Sequence, residues 1–225
     1  MPFANNGQVR LYWRQDGSDS KPPLLLLHPI LMDHAVWDRV VPFLIDHFRI
    51  IRMDLRGHGA SSATGNDFSL TELAADAWSV LGAAGSVRTL VCGLSLGGLI
   101  ALQMASSQPQ RLTGIAVASC AITADRGLWN DRIAEAQKLG LNRLVSAALD
   151  SWIDPDVKTS SAVWSDPIHR AMLATSVDGY CGCANAIRTM DLESAVRGIT
   201  VPTLVLSGTI DRGTPYAPEG HRVAD

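Results

Sequence analysis

The chain lacks any apolar run long enough to span a bilayer; Leu24 to Leu27, the longest near the start, is the size of a strand. Its first residues, Met1-Pro2-Phe3-Ala4-Asn5-Asn6-Gly7, contain no basic stretch followed by an apolar one, so no secretory signal is expected. Charge of one sign is not in excess, since 19 Lys and Arg face 22 Asp and Glu for a net charge of −3. That balance indicates neither nucleic acid nor an acidic membrane as a partner. Cysteine is scarce, with four in 225 residues. Cys92 and Cys120 lie in apolar, strand-like runs and read as small core residues. Cys181-Gly182-Cys183 has C-x-C spacing and no second ligand pair, which excludes the usual zinc and dithiol patterns. The expectation is a reduced, cytoplasmic protein with no metal and no cofactor.

What is abundant is apolar residue, 47% of the chain, enough for the large core of one α/β domain with an insertion. The most informative stretch is Gly93-Leu94-Ser95-Leu96-Gly97. The apolar run Thr89-Leu90-Val91-Cys92 enters it, and the helix-like run from Leu99 to Ala105 leaves it. A serine at the tip of a sharp strand-to-helix turn sits in strained backbone, so residues two positions either side must lack bulk. Such a turn presents the hydroxyl beside a helix N-terminus, whose unpaired N–H groups can receive a developing oxyanion.

The flanking pattern supports that placement. Gln8 to Gln15 alternates and reads as an outer strand. Pro23 to Leu27, Phe48 to Met53, Arg88 to Cys92 and Leu112 to Ser119 are continuous apolar runs, as in strands covered on both faces. Between them lie three helical segments. One is capped by Asp33 and runs to Leu44, with Pro42 expected to kink or split it. A second follows the capping box Ser69-x-x-Glu72. The third leaves Ser95 and ends before Pro109. The β-α-β-α-β-α-β order predicts an α/β fold with a mostly parallel sheet and helices on both faces. Sites in such sheets lie beyond the strands' C-terminal ends, where His28, Asp54, Ser95 and Ser119 all fall.

After Ala121 the strand signals stop. Helical stretches are predicted at Trp129 to Leu139, Leu141 to Trp152, Ile168 to Thr175 and Ala184 to Met190. Residues 1–120 therefore read as the first part of the core, 121–197 as a helical lid carrying Trp129, Trp152 and Trp164, and 198–225 as resumed core. Pro202 to Ser207 resumes the buried-strand type and ends at Gly208-Thr209-Ile210-Asp211; a helix is predicted from Pro218.

Four motifs in order resemble the α/β-hydrolase superfamily. They are His28 in the loop after the first buried strand, Asp54-Leu55-Arg56-Gly57-His58-Gly59-Ala60-Ser61, Gly93-Leu94-Ser95-Leu96-Gly97-Gly98, and Val201 to Asp211. The elbow with Leu99-Ile100-Ala101-Leu102-Gln103, together with Trp129 to Ile133 and Gly179 to Arg188, is similar to the 3-oxoadipate enol-lactonases. The resemblance implies hydrolysis of an ester or lactone, with Ser95 as nucleophile and Asp211 as triad acid. The oxyanion donors would be the backbone N–H groups of Ile30 and Leu96. Pro29 stands where the family commonly has glycine, which stiffens the loop without removing the Ile30 donor. The enol-lactone bears a free carboxylate, so a cation is expected near it; Trp129 and Arg132 are the candidates, with Arg188 a weaker one.

The triad histidine is the missing piece. Only His221 follows Asp211, and it falls in a predicted helix, so the expectation is a chain ending before the helix, strand and loop that carry the base. Two classes stay open. One is a serine hydrolase of a small ester or lactone, with other esterases, haloperoxidase-like enzymes and C–C hydrolases as variants. The other is a hydrolase-like protein that binds a small ligand without catalysis. The residues indicate no oligomeric state.

Overall fold

The computed structural model describes residues 2–153, 162–211, 213–215 and 220–224, with backbone alone for 162–166. Its strands are β1 (Phe3–Asn6), β2 (Val9–Asp16), β3 (Pro23–Leu27), β4 (Arg49–Met53), β5 (Thr89–Leu94), β6 (Leu112–Ala118) and β7 (Thr203–Leu206). They form one sheet in the order β1-β2-β4-β3-β5-β6-β7. The pairs β1–β2 and β2–β4 are antiparallel, and every pair from β4 to β7 is parallel. This is the mostly parallel α/β sheet that the alternating pattern predicts.

Side-chain alternation explains how β3 and β4 sort two cores. Leu25, Leu27, Ile51 and Met53 pack on one face with Leu73, Leu81 and Ile100. Leu24, Leu26 and Ile50 face the opposite side, with Trp37 and Val41. Helices α2 (Leu70–Ala83) and α3 (Leu96–Ser107) supply the first of these layers. The capping box at α2 is formed, with the Glu72 amide on the Ser69 hydroxyl at 3.2 Å and the Ser69 amide on Glu72 at 2.9 Å.

Several expectations need correction. No strand is expected before Gln8, yet β1 pairs outside the outer strand β2, with Phe3 opposite Tyr12 and Asn6 opposite Val9. A four-residue strand is too short to display alternation, and Gly7, at φ 59°, closes the tight turn between the two. The segment after Asp33 is split, as Pro42 suggested, but the break falls at residues 38–40, before the proline. It is a 3-10 turn (His34–Trp37) followed by α1 (Val41–Leu44), whose first turn contains Pro42. The last strand, β7, is not buried: Leu204 and Leu206 are 55% and 48% exposed.

Between β6 and β7 lies the expected helical block: α4 (Arg126–Leu139), α5 (Asn142–Trp152), α6 (Ala162–Ala174), α7 (Val177–Thr189) and α8 (Glu193–Arg197). Three of these helices start earlier than periodicity suggests: α6 at Ala162 rather than Ile168, and α4 and α7 because their caps lie outside the apolar pattern. Asp125 accepts the Leu128 amide at 3.0 Å and opens α4, and Ser176 accepts the Gly179 amide at 2.9 Å and opens α7. Helix α7 runs through Gly179 and Gly182, where the sequence reading begins only at Ala184. Trp164 lies among residues described by backbone alone, and the predicted start at Pro218 lies outside the described residues; α9 (His221–Ala224) is the helix seen there.

One buried ion pair ties these layers together. Arg56 donates to fully buried Asp76 from Nε at 2.5 Å and from the second guanidinium nitrogen at 2.7 Å. Asn6 of β1 adds a bond to the same carboxylate at 2.8 Å. Removing one member of such a pair strands the other charge. Asp76→Ala should therefore lower unfolding stability by about 3–5 kcal/mol in urea titrations; a loss under about 1 kcal/mol would show that the pair is dispensable.

Candidate active site

Ser95 stands between β5 and α3 at φ 52°, ψ −115°, a backbone conformation that non-glycine residues rarely adopt. Its surroundings hold it there. Its amide donates to the Ala118 carbonyl at 2.8 Å, extending the β5–β6 pairing. Its carbonyl accepts from Gly98 at 2.8 Å, from Leu99 at 3.0 Å and from the Cys120 thiol at 3.2 Å. A Cβ at Gly93 would strike the Gly97 carbonyl, one at Gly97 the Leu27 carbonyl, and one at Gly98 the Cys120 sulfur. The glycine spacing thus reflects close approach of backbone to backbone, as the motif predicts. Burial pushes the Cys120 thiol up to about 12, so it stays a weak neutral donor.

Beyond the end of β3, a second strained turn lies at Leu31, with φ 69°. Two buried histidines hold this loop against the loop that follows β4. His28 Nε2 accepts the Leu55 amide at 2.9 Å, and its Nδ1–H donates to the Pro29 carbonyl at 2.8 Å. His58 Nε2 accepts the Leu31 amide at 3.2 Å, and its Nδ1–H donates to the Arg56 carbonyl at 3.1 Å. The accepted amides assign the tautomers, since a nitrogen that accepts carries no proton. Burial is the main reason that His28 is lowered to about 3 and His58 to about 4. Neither ring has a nitrogen to spare. Among the described residues, no hydrogen-bond acceptor takes the amides of Ile30 or Leu96, both buried. Two donors of this kind can receive an anion.

Asp54 is the buried knot of the β4 loop. One carboxylate oxygen accepts the His34 amide at 2.9 Å and pairs with its ring Nδ1 at 2.7 Å; the other accepts the Ala60 amide at 2.9 Å. Burial raises its pKa, but these bonds outweigh it and hold Asp54 below the ordinary carboxylate value. Asp33, His34 and Asp54 bring ligand-type atoms within 4.8 Å of one another. Because both Asp54 oxygens are already engaged, that cluster reads as a hydrogen-bonded loop rather than an open coordination site.

After β7, Asp211 accepts the amides of Gly213 and Thr214, each at 2.9 Å, and the Thr214 hydroxyl at 3.0 Å. Burial acts to raise its pKa, but the Thr214 amide, the Ser119 hydroxyl and the other bonds hold it below the usual carboxylate value. Ser119, at φ 50° beyond β6, lies near enough to Asp211 to help lower its pKa. The sequence reading placed Ser119 at a strand end but gave it no role. The remaining histidines lie elsewhere: His34 bonds Asp54, while His47, His169 and His221 are exposed.

The loops beyond β3, β4, β5, β6 and β7 all open at the same end of the sheet, a recurrent binding position in open parallel sheets. A family model for the alpha/beta hydrolase fold matches residues 22–204. The chain belongs to the α/β-hydrolase family.

Among relatives of this hydrolase-fold chain is 3-oxoadipate enol-lactonase 2 of Acinetobacter baylyi, 25% identical over 210 residues, covering 93% of this chain and 79% of the relative. Another is the pimeloyl-[acyl-carrier protein] methyl ester esterase of Nitrosomonas europaea, 29% identical over 209 residues, covering 86% and 79%. The crystal structure of an enol-lactonase from Burkholderia xenovorans superposes with a TM-score of 0.96 at 30% identity, over 99% of this chain and 86% of that one. The chain is thus an α/β hydrolase with esterase and lactonase relatives. Among the described residues, no helix is long and apolar enough to cross a membrane.

The hydrolase fold places Trp129 and Arg132 together on α4, with the guanidinium 4.8 Å from the indole centroid. Arg188, on α7, is held by Asn130 at 3.2 Å and by Asn185, beside a cleft of about 350 Å³. The two buried histidines give the fold a distinctive acid response. Unfolded histidine takes its proton near 6.5, whereas these two resist protonation until about 4 and about 3. The unfolded chain therefore binds more protons across that window, and stability falls as pH drops through it. Urea midpoints should decline between about pH 6.5 and 4, and His58→Gln should flatten the slope; a midpoint constant down to about pH 4 would contradict the assignment.

Proposed function

We propose that this hydrolase uses Ser95 as the nucleophile of a carboxylic ester hydrolase, and that its substrate is an enol-lactone of the 3-oxoadipate type. The carrying observation is the over-determined left-handed turn at Ser95; the amides of Ile30 and Leu96, which no acceptor takes among the described residues, follow the adjacent parallel strands β3 and β5 at the same end of the sheet. Ser95 Oγ attacks the lactone carbonyl and its proton passes to a base. The carbonyl oxygen becomes an oxyanion received by the Ile30 and Leu96 amides, and collapse opens the ring to an acyl-enzyme that water hydrolyses. Asp211, held below the usual carboxylate value, orients the base and stabilises its charged form.

The base in this mechanism is a histidine, and among the described residues the ring hydrogen bonds of His28, His34 and His58 join neither Ser95 nor Asp211. His28 and His58 use both ring nitrogens, His34 is engaged with Asp54, and the other three are exposed. The helical block acts as the lid, with Trp129 and Arg132 toward the substrate's carboxylate. The lactone is favoured by the enol-lactonase superposition at 30% identity and by the paired Trp129 and Arg132. The methyl esterase relatives, equally similar in sequence, support a second substrate reading: a methyl ester on a carrier-bound acyl chain.

The test is hydrolysis of p-nitrophenyl acetate, 3-oxoadipate enol-lactone and a pimeloyl-carrier methyl ester, with and without imidazole as an added base. Slow turnover is expected, roughly 10³–10⁴-fold over water, with an additional imidazole-stimulated part that is lost in Ser95→Ala. Imidazole stimulation that survives Ser95→Ala sinks the nucleophile assignment. Preference for the methyl ester sinks only the lactone. Arg132→Ala should raise KM for the lactone roughly tenfold while leaving p-nitrophenyl acetate unchanged; an equal effect on both overturns its role.

A further inference from the structure

Helix α7 meets the β4 loop through residues spaced by three: Ser176, Gly179, Gly182 and Asn185. The Ser176 amide and hydroxyl both donate to the Gly57 carbonyl at 3.0 Å. Gly179 and Gly57 touch backbone to backbone, so a Cβ on either would enter the other's main chain. A Cβ at Gly182 would strike the Phe68 ring, and the Asn185 amide donates to the Phe68 carbonyl at 3.3 Å. Gly57 also has φ 75°, so it is doubly restricted to glycine. The next residue is His58, whose Nε2 takes the Leu31 amide, one position past Ile30.

We propose that His58 is a positioning residue for the oxyanion loop, and that helix α7 seats His58 through the Gly57–Gly179 contact. The inference rests on the reading of Ile30 as an oxyanion donor. The chain of contact is continuous. The α7 N-terminus grips Gly57, the Gly57 turn carries the His58 ring, and that ring holds Leu31 in its left-handed conformation. Leu31 in turn sets the plane of the Ile30–Leu31 peptide and hence the direction of the Ile30 segment. The ring is suited to this because Nδ1–H is anchored on the Arg56 carbonyl, leaving Nε2 as a fixed acceptor. A hydrophobic side chain of similar volume would fill the space and release the amide.

Two kinds of measurement test this. The first needs no turnover: amide hydrogen exchange at Leu31 in the 225-residue chain. His58→Leu should speed that exchange at least roughly tenfold, and His58→Gln, whose side-chain carbonyl can accept, should restore most of the protection. Gly179→Ala should speed exchange at both Ser176 and Leu31. Gly182→Ala, which disturbs the Phe68 contact alone, should leave Leu31 protected. Equal Leu31 exchange in the wild type and His58→Leu overturns the proposal. If His58→Leu does not fold, the imidazole ¹⁵N spectrum of the wild type decides, and a proton on His58 Nε2 overturns it.

The second is imidazole-assisted hydrolysis of p-nitrophenyl acetate. His58→Leu and Gly179→Ala should lower kcat roughly 10–100-fold with KM changed less than about twofold, and His58→Gln should recover most of the loss. Parallel losses in kcat and KM, or no rescue by glutamine, assign His58 to folding alone and overturn the positioning role. Failure of Ser95-dependent hydrolysis in the wild type would instead sink the hydrolase mechanism, while the exchange result still decides the strut.

Discussion

Contact of backbone with backbone is what the strand-end architecture depends on. At Ser95 the chain turns through a conformation that costs of order 1–3 kcal/mol, and it persists because hydrogen bonds hold both the amide and the carbonyl of that residue. Those bonds exist only if α3 lies hard against β3 and β5. Gly93, Gly97 and Gly98 allow that approach, since a side chain at any of them would push the helix off the sheet. The same device recurs where Gly57 meets Gly179, and Gly59 likewise makes room for the Asp54 carboxylate. Strained turns at Leu31, Ser95 and Ser119 all lie beyond strand ends.

Electrostatics follow from that packing. Because the loops beyond β3 and β4 bury both rings completely, His28 and His58 work as uncharged struts with fixed tautomers. In such a setting an uncharged imidazole offers one donor and one acceptor in a rigid plane, which suits the bridging of two loops better than a charged group. Asp54 and Asp211 are treated differently. Each has burial working against its charge and several hydrogen bonds working for it, and the bonds win. The result is a strand-end surface with two carboxylates kept ionised and two histidines kept neutral.

The helical block makes direct contact with the loop after β4. Its α7 helix is laid along the segment from Gly57 to Phe68 through Ser176, Gly179, Gly182 and Asn185. The stretch Gly179-Tyr180-Cys181-Gly182-Cys183 stood out in the sequence as resembling enol-lactonases, without a physical reason. The reason is the seat: two glycines at spacing three allow a helix to approach a loop that itself carries a glycine. The cysteines of that stretch are buried packing residues, and burial is the chief cause raising both thiols.

Local chemistry was enough to read the alternating core, the capping box at Ser69, the break in the segment near Pro42 and the strained elbow, because each depends on neighbours within a few residues. The short β1 strand, the early starts of α4 and α7, and the exposure of β7 were not legible. They arise from a pairing partner, from caps outside the apolar pattern, and from what lies on each face of an edge strand. The sequence by itself determined that a serine would sit at a glycine-flanked turn after a buried strand. Only the tertiary structure decided that Ser119 would come near Asp211, that His28 and His58 would brace one loop against another, and that α7 would grip Gly57. Those contacts join residues far apart in the chain, and their strength comes from desolvation and close approach that no local pattern encodes.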